Sequence, residues 1–225
     1  MANSRTKWTR HLALALIAAC SLGLGTKLLL RADEPNKDLV IWDGDTKADG
    51  KAWTSPTSDK ITLKPNTKEN HGGKQSLEFH GEGKDWMGYG WNWFGWWPAD
   101  AGTDLSSADR VSLWVKVTGD KKPADFNFAL ISSGGKDKKN TPPLAMTKYV
   151  KDAKPLTDGD WHQVIIPLKD IYADKTDFDP KLAWEFDIGE FSQDDVNFSI
   201  FVDNVQFLTP APATASAPAA TAPAK

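Results

Sequence analysis

Residues 111–117 read Val-Ser-Leu-Trp-Val-Lys-Val, and their alternation decides the fold class. Val111, Leu113, Val115 and Val117 share one face of an extended chain, while Ser112, Trp114 and Lys116 share the other. A period of two is that of a half-buried strand. Similar runs lie on both sides of it. Toward the C-terminus, Phe126, Phe128 and Leu130 alternate, and then Ser133–Pro143 reads as a long polar loop. Gly159-Asp160-Trp161 opens a strand over 161–168, where Pro167 marks a strand end or edge. Asp170–Tyr172 suits a brief helical turn. In 182–188, Trp184, Phe186 and Ile188 face one way, leaving Glu185 and Asp187 on the other, and 198–208 reads as the closing strand.

Toward the N-terminus, 104–109 is polar and suits a short turn of helix. Residues 86–97 read WMGYGWNWFGWW and hold five of the 11 tryptophans in the chain. Within them, 88–94 forms a strand that places Tyr89, Trp91 and Trp93 on one face, whereas Trp96 and Trp97, between Gly95 and Pro98, belong to a loop. This segment is either core or a flat platform for a ligand. Strands are also read at 74–80 (Leu77 and Phe79 inward), 60–64 and 38–42, the last followed by the turn Asp43-Gly44-Asp45. No amphipathic helix of ordinary length and no internal repeat is present. The pattern is that of an all-β, two-sheet antiparallel β-sandwich, a jelly roll. Trp42, Trp53, Trp161 and Trp184 are read as structural.

The chain divides into 1–32, an export signal or lipoprotein signal or anchor; 33–209, the sandwich; and 210–225, an Ala/Pro-rich tail that buries nothing and is expected to be disordered. Arg5, Lys7 and Arg10 precede the apolar run 12–19, the order of a targeting segment. Cleavage after Ala32, lipidation of Cys20 in the sequence Ile17-Ala18-Ala19-Cys20, and retention of 12–30 as an anchor are the three outcomes considered. Each implies an exported protein, whether secreted, periplasmic or attached to the cell envelope. Membrane attachment, if any, runs through the N-terminus alone. Cys20 is the single cysteine, so the sandwich has no disulfide, Cys metal site or Cys nucleophile. The formal net charge is −3, and since 1–32 carries five basic and no acidic side chains, the rest stands at −8. An acidic body argues against nucleic acid as partner.

Four phrases occur in order: 73–79 (GKQSLEF), 113–116 (LWVK), 160–168 (DWHQVIIPL) and 201–207 (FVDNVQF). Together they resemble the jelly-roll carbohydrate-binding modules of bacterial glycan-degrading systems, of the galactose-binding-like type. The resemblance spans roughly 38–208 and implies non-catalytic binding of a polysaccharide or other glycan. Many such modules hold a structural calcium, and the matching positions here are Asp43, Asp45 and Asp203. The family usually has a second Asp where this chain has Asn204. For the glycan, Tyr89, Trp91, Trp93, Trp96, Trp97 and Trp114 are the expected stacking surfaces. Glu185 and Asp187 are the expected polar partners, with Asn92, Asn127 and Gln163 near them. Two alternatives remain: a structural or adhesion domain of the cell envelope without a sugar site, and a jelly-roll glycan-active enzyme. For the enzyme, Glu185 and Asp187 on one strand face would be the carboxylate pair. His71, His80 and His162 form no metal motif, and no GxSxG or phosphate loop occurs.

Overall fold

The computed structural model describes residues 37–46, 50–94, 101–134, 137–173 and 177–210. Trp96, Trp97, the 1–32 segment and the tail from 211 lie outside the described residues. Among the described residues there are ten strands: β1 (Leu39–Trp42), β2 (Lys51–Ser55), β3 (Ile61–Asn66), β4 (Ser76–Asn92), β5 (Arg110–Lys121), β6 (Asn127–Gly134), β7 (Asp137–Asn140), β8 (Leu144–Ala145), β9 (His162–Pro167) and β10 (Ala183–Leu208). One short helix, α1 (Leu168–Ile171), and two 3-10 turns complete the described body. The chain is an all-β sandwich.

Two strands organise it. β4 and β10 run antiparallel along nearly their whole length, from Glu185 opposite Asn92 to Val202 opposite Leu77, with a bulge between Ser192 and Val196. Bulges bend and twist a strand pair, and this one divides the pair into two halves. On one side of it the order is β3–β4–β10–β5–β9, with β1 on the last residues of β10. On the other side it is β2–β4–β10–β6, and β6 carries β7 and β8. The runs 74–80 and 88–94 are thus parts of one strand, as are 182–188 and 198–208. Alternation identified each half and could not show that the polar stretch between them stays paired. β2 lies where no strand was expected, β7 lies within the expected polar loop 133–143, and β8 follows directly after it. These short edge strands carry too few apolar residues to show a period. At 104–109 a turn stands in place of the expected helical turn.

The inner faces interlock. Leu77, Phe79, Phe198, Ile200, Val202 and the four apolar residues of 111–117 meet Met87, Tyr89, Trp91, Phe126, Phe128, Phe186 and Ile188 in one buried cluster. Ring contacts tie the two halves together: Phe126 lies 5.2 Å from Phe198 at 66°, and Phe79 lies 5.2 Å from Tyr89. Trp42 meets Trp91 edge-on at 4.8 Å, a favoured aromatic geometry. Trp42, Trp161 and Trp184 are buried or half-buried, as their structural reading expected. Trp42→Ala removes a fully buried indole and the edge contact to Trp91, and is expected to destabilise the fold by about 3–5 kcal/mol in denaturant unfolding.

Candidate functional site

The inward side chains of β4 in its second half are Met87, Tyr89 and Trp91, all buried. The outward positions between them are Trp86, Gly88, Gly90 and Asn92. Large rings therefore fill the core while glycine lines the solvent face. This corrects the expectation for Tyr89 and Trp91, which cannot stack on a ligand. Tyr89 packs against Phe79 and Phe186, and Trp91 against Trp42. Trp93 is half-buried at the rim of the same core: its ring lies 5.9 Å from Phe207, and its Nε1 donates to Thr103 Oγ1 at 3.0 Å. Aromatic side chains of this size gain most by entering the sandwich, and they do so together because they alternate.

The outward glycines are occupied by other residues. A Cβ at Gly90 would collide with Trp53 Nε1 and stand 2.6 Å from Asp187 Oδ1. A Cβ at Gly88 would stand 2.9 Å from the Trp86 ring. Gly88 pairs with Gly189 across the strands, so the Trp86 indole lies over a floor of backbone. Trp53, from β2, is opposite Gly90 and stacks against Trp86 at 6.3 Å and 25°. Phe191, opposite Trp86 on β10, extends the strip. Trp86 is 44% and Phe191 64% exposed, whereas Trp53 is half-buried. Trp53 and Trp86 were not among the expected stacking residues. The signal that marked them was present in the sequence: Gly at alternate positions 88 and 90 of a strand, which indicates that something must come close to its backbone.

Polar groups flank this strip on the same face. Glu185 pairs with Asn92 and Asp187 with Gly90. Glu185 is 0% exposed. Its Oε1 accepts the Trp53 indole N–H at 3.0 Å and lies 3.8 Å from Lys138 Nζ; its Oε2 accepts Asn92 Nδ2–H at 3.4 Å. Asp187 lies within hydrogen-bonding reach of Glu185, and its buried Oδ1 has no donor. Burial first, then the charge of Glu185, push the Asp187 carboxyl up to about 8. Two carboxyls in hydrogen-bond contact sit closer than the roughly 5–9.5 Å that glycoside hydrolysis requires. Glu78 and Glu190 do not join them. Glu78 bonds Asn66 and Ser199 in the other half, and Glu190 is buried with Ser192.

Trp114 stands apart from this face. It lies on the outer side of the other half, with Gln163 and Asp203 as cross-strand neighbours, and His71 stacks on it at 3.5 Å and 12°. Trp161 closes on His71 edge-on at 5.7 Å. Trp114 and Gln163 therefore do not share a site with Glu185 and Asp187. Asn92 and Asn127 do share that face.

The acids expected to hold calcium lie at one end of the sandwich. Asp203 is fully buried and its carboxyl is pushed up chiefly by burial, with the charges of Asp43 and Asp45 adding to the effect. Each already serves backbone donors. Asp43 Oδ1 accepts N–H from Asp45 and Thr46 at 2.9 and 2.7 Å, and Asp45 Oδ1 accepts from Lys74 at 3.0 Å. Asp203 accepts from His71 and Asn204 at 2.9 and 2.8 Å. Carboxylates are of the right kind for calcium. Among the described residues, however, no group of three or more His, Cys, Asp or Glu side chains is arranged to hold an ion.

The model of one family, carbohydrate binding domain 30, matches residues 37–209. Among solved structures, the chain is similar to the family 30 carbohydrate-binding module of a cellulosomal cellulase of Clostridium thermocellum, with 18% identity and a TM-score of 0.60 over 77% of this chain and 98% of that one. It is also similar to a family 11 module of the same organism, in complex with a β-1,3-1,4-mixed-linked tetrasaccharide, at 12% identity and a TM-score of 0.51 over 76% and 95%. A third is a β-1,2-glucanase from Parabacteroides distasonis, at 21% identity and a TM-score of 0.56, where the match covers 80% of this chain and 26% of that one. No curated protein matches the chain.

The raised Asp187 carboxyl has a measurable consequence. In the fold it keeps its proton to about pH 8, whereas unfolded it releases it near the ordinary 3.8, so stability falls as pH rises through that window. Asp187→Asn removes this loss. Its melting midpoint is expected to exceed wild type by several degrees above pH 8 and to match it near pH 4, by calorimetry at both pH values.

Proposed function

The chain belongs to the carbohydrate binding domain 30 family, and we propose that it holds an extended polysaccharide against the Trp53–Trp86 strip. The function is non-catalytic carbohydrate binding. The observation that carries this placement is the glycine floor: Gly88 and Gly90 leave room for two indoles to stack side by side, with one of them 44% exposed. A sugar ring has an apolar C–H face that an indole can cover and a hydroxyl edge that needs hydrogen bonds. Of the polar groups that border the strip, Lys138 is exposed and Asp187 partly so, and these can meet the hydroxyl edge, whereas Glu185 and Asn92 are buried and hold the strip from beneath. An exposed aromatic strip without a partner would be an association hazard. Of the expected stacking residues, Trp96 and Trp97, four and five positions past the end of β4 in the sequence, are kept in the proposal. Export through the 1–32 segment is part of the same reading, because polysaccharide of this kind is met outside the cell.

The family 11 relative makes β-1,3-1,4-mixed-linked glucan the first soluble probe. Trp53→Ala and Trp86→Ala are each expected to weaken retention on that glucan in affinity electrophoresis by about tenfold or more, roughly 1.4 kcal/mol, while Trp114→Ala leaves it unchanged. Folded variants at Trp53 and Trp86 that bind like wild type would move the site elsewhere.

Calcium at Asp43, Asp45 and Asp203 is the second part of the proposal. The support is charge: a fully buried carboxylate with two more acting on it favours a cation. Binding would draw these side chains off their backbone N–H partners and would stabilise the turn after β1. Melting in calcium and then in excess chelator is expected to show a fall of several degrees, and an unchanged midpoint would remove the ion from the account.

A further inference from the structure

We propose that the buried pair Glu185–Asp187 is the positioning device of the platform: Glu185 locks the Trp53 indole in its stacking orientation, and Asp187 is the group through which pH releases it. This rests on the reading of Trp53 and Trp86 as the sugar platform. Glu185 contacts no exposed part of the strip itself, since it is fully buried; it acts through the 3.0 Å bond from Trp53 Nε1. That bond fixes the rotation of an indole which otherwise rests on a featureless floor. Gly90 makes the lock possible, because the indole N–H edge and the Asp187 carboxyl both occupy the space above it. Glu185 and Asp187 are therefore brought together under one ring.

The pair is stable while it carries one charge. Asp187 protonated donates its O–H to Glu185, and Glu185 accepts from Trp53 and Asn92. When Asp187 ionises, two buried like charges stand in contact. Among the described residues, the charged or titratable groups facing the pair are few. Lys138 from β7 stands 3.8 Å from Glu185 Oε1, and the buried Tyr89 hydroxyl is the other titratable neighbour, its pKa raised by burial and then by the charge of Asp187. Asn127–Gly134 of β6 brings none, and Lys51 of β2, opposite Asn92, is exposed. Repulsion is then relieved by movement of Glu185 toward Lys138, which is at the exposed edge and also lies 5.1 Å from the Trp184 ring. That movement leaves Trp53 Nε1 without its acceptor.

The test follows the Trp53 indole ¹⁵N–¹H resonance in the full chain, assigned by its loss in Trp53→Phe, from about pH 6 to about pH 9.5, beside retention on soluble mixed-linked β-glucan. In wild type the resonance is expected to shift with a midpoint near pH 8, and glucan affinity is expected to fall over the same interval. Asp187→Asn keeps the shape and abolishes both changes. Glu185→Gln keeps an acceptor for Trp53, so it retains binding and shows no titration. Glu185→Ala weakens binding about fivefold or more at every pH. A Trp53 resonance that does not titrate in wild type, or Glu185→Ala binding as wild type does, overturns the proposal. Titration of Trp53 in a wild type that retains no glucan upholds the lock and overturns the platform reading instead.

Discussion

A side chain at Gly90 would collide with the Trp53 indole, and this steric constraint governs the solvent face of the sandwich. β4 alternates ring and glycine: Tyr89 and Trp91 go into the core, and Gly88 and Gly90 open the other side. The two consequences depend on each other. The core has two large rings to hold the layers together, and the bare backbone opposite has room for indoles donated by β2 and by β4 itself. Any larger residue at 88 or 90 would lift those rings off the sheet and disturb their stacking at 6.3 Å.

The same face holds charge where burial makes charge costly. Glu185 is fully buried beside the strip, and its oxygens are used by Trp53, Asn92 and, at longer range, Lys138. Asp187 adds a second carboxyl in contact with the first. Its raised pKa is the fold's answer to that crowding: one proton is retained so that two anions do not share a low-dielectric site. The pair is too close for the separated acid and base of glycoside hydrolysis, in keeping with a family that binds carbohydrate without cleaving it.

The opposite face is built differently. Trp114, His71 and Trp161 pack on one another in place of a floor of glycine, and Lys116 reaches Glu69 at 2.7 Å. Burial lowers the His71 pKa. These rings satisfy each other, whereas Trp86 and Phe191 present faces to solvent. One sandwich thus has a self-packed aromatic cluster on one sheet and an open strip on the other.

The fold class was legible in residues 111–117 and their neighbours, because alternation is a local property and each strand states its own inner face. Val111 to Val117, Phe126 to Leu130, and Phe186 with Ile188 bury the side that their period indicates, whereas Trp184, at a register shift and under Lys138, is buried outside that core cluster. The acidic pair at 185 and 187 was legible as sharing one face for the same reason. Tertiary structure alone decided which rings are free. Tyr89, Trp91 and Trp93 share a face in the sequence, but whether it is core or groove depends on what the opposing layer brings, here Trp42, Phe186 and Phe207. Trp53 joined the open strip because β2 pairs with β4 so that position 53 stands opposite Gly90. Trp114 left it because β5 lies in the other half of the sandwich. Strand pairing links residues far apart in the chain, and no local period carries that information.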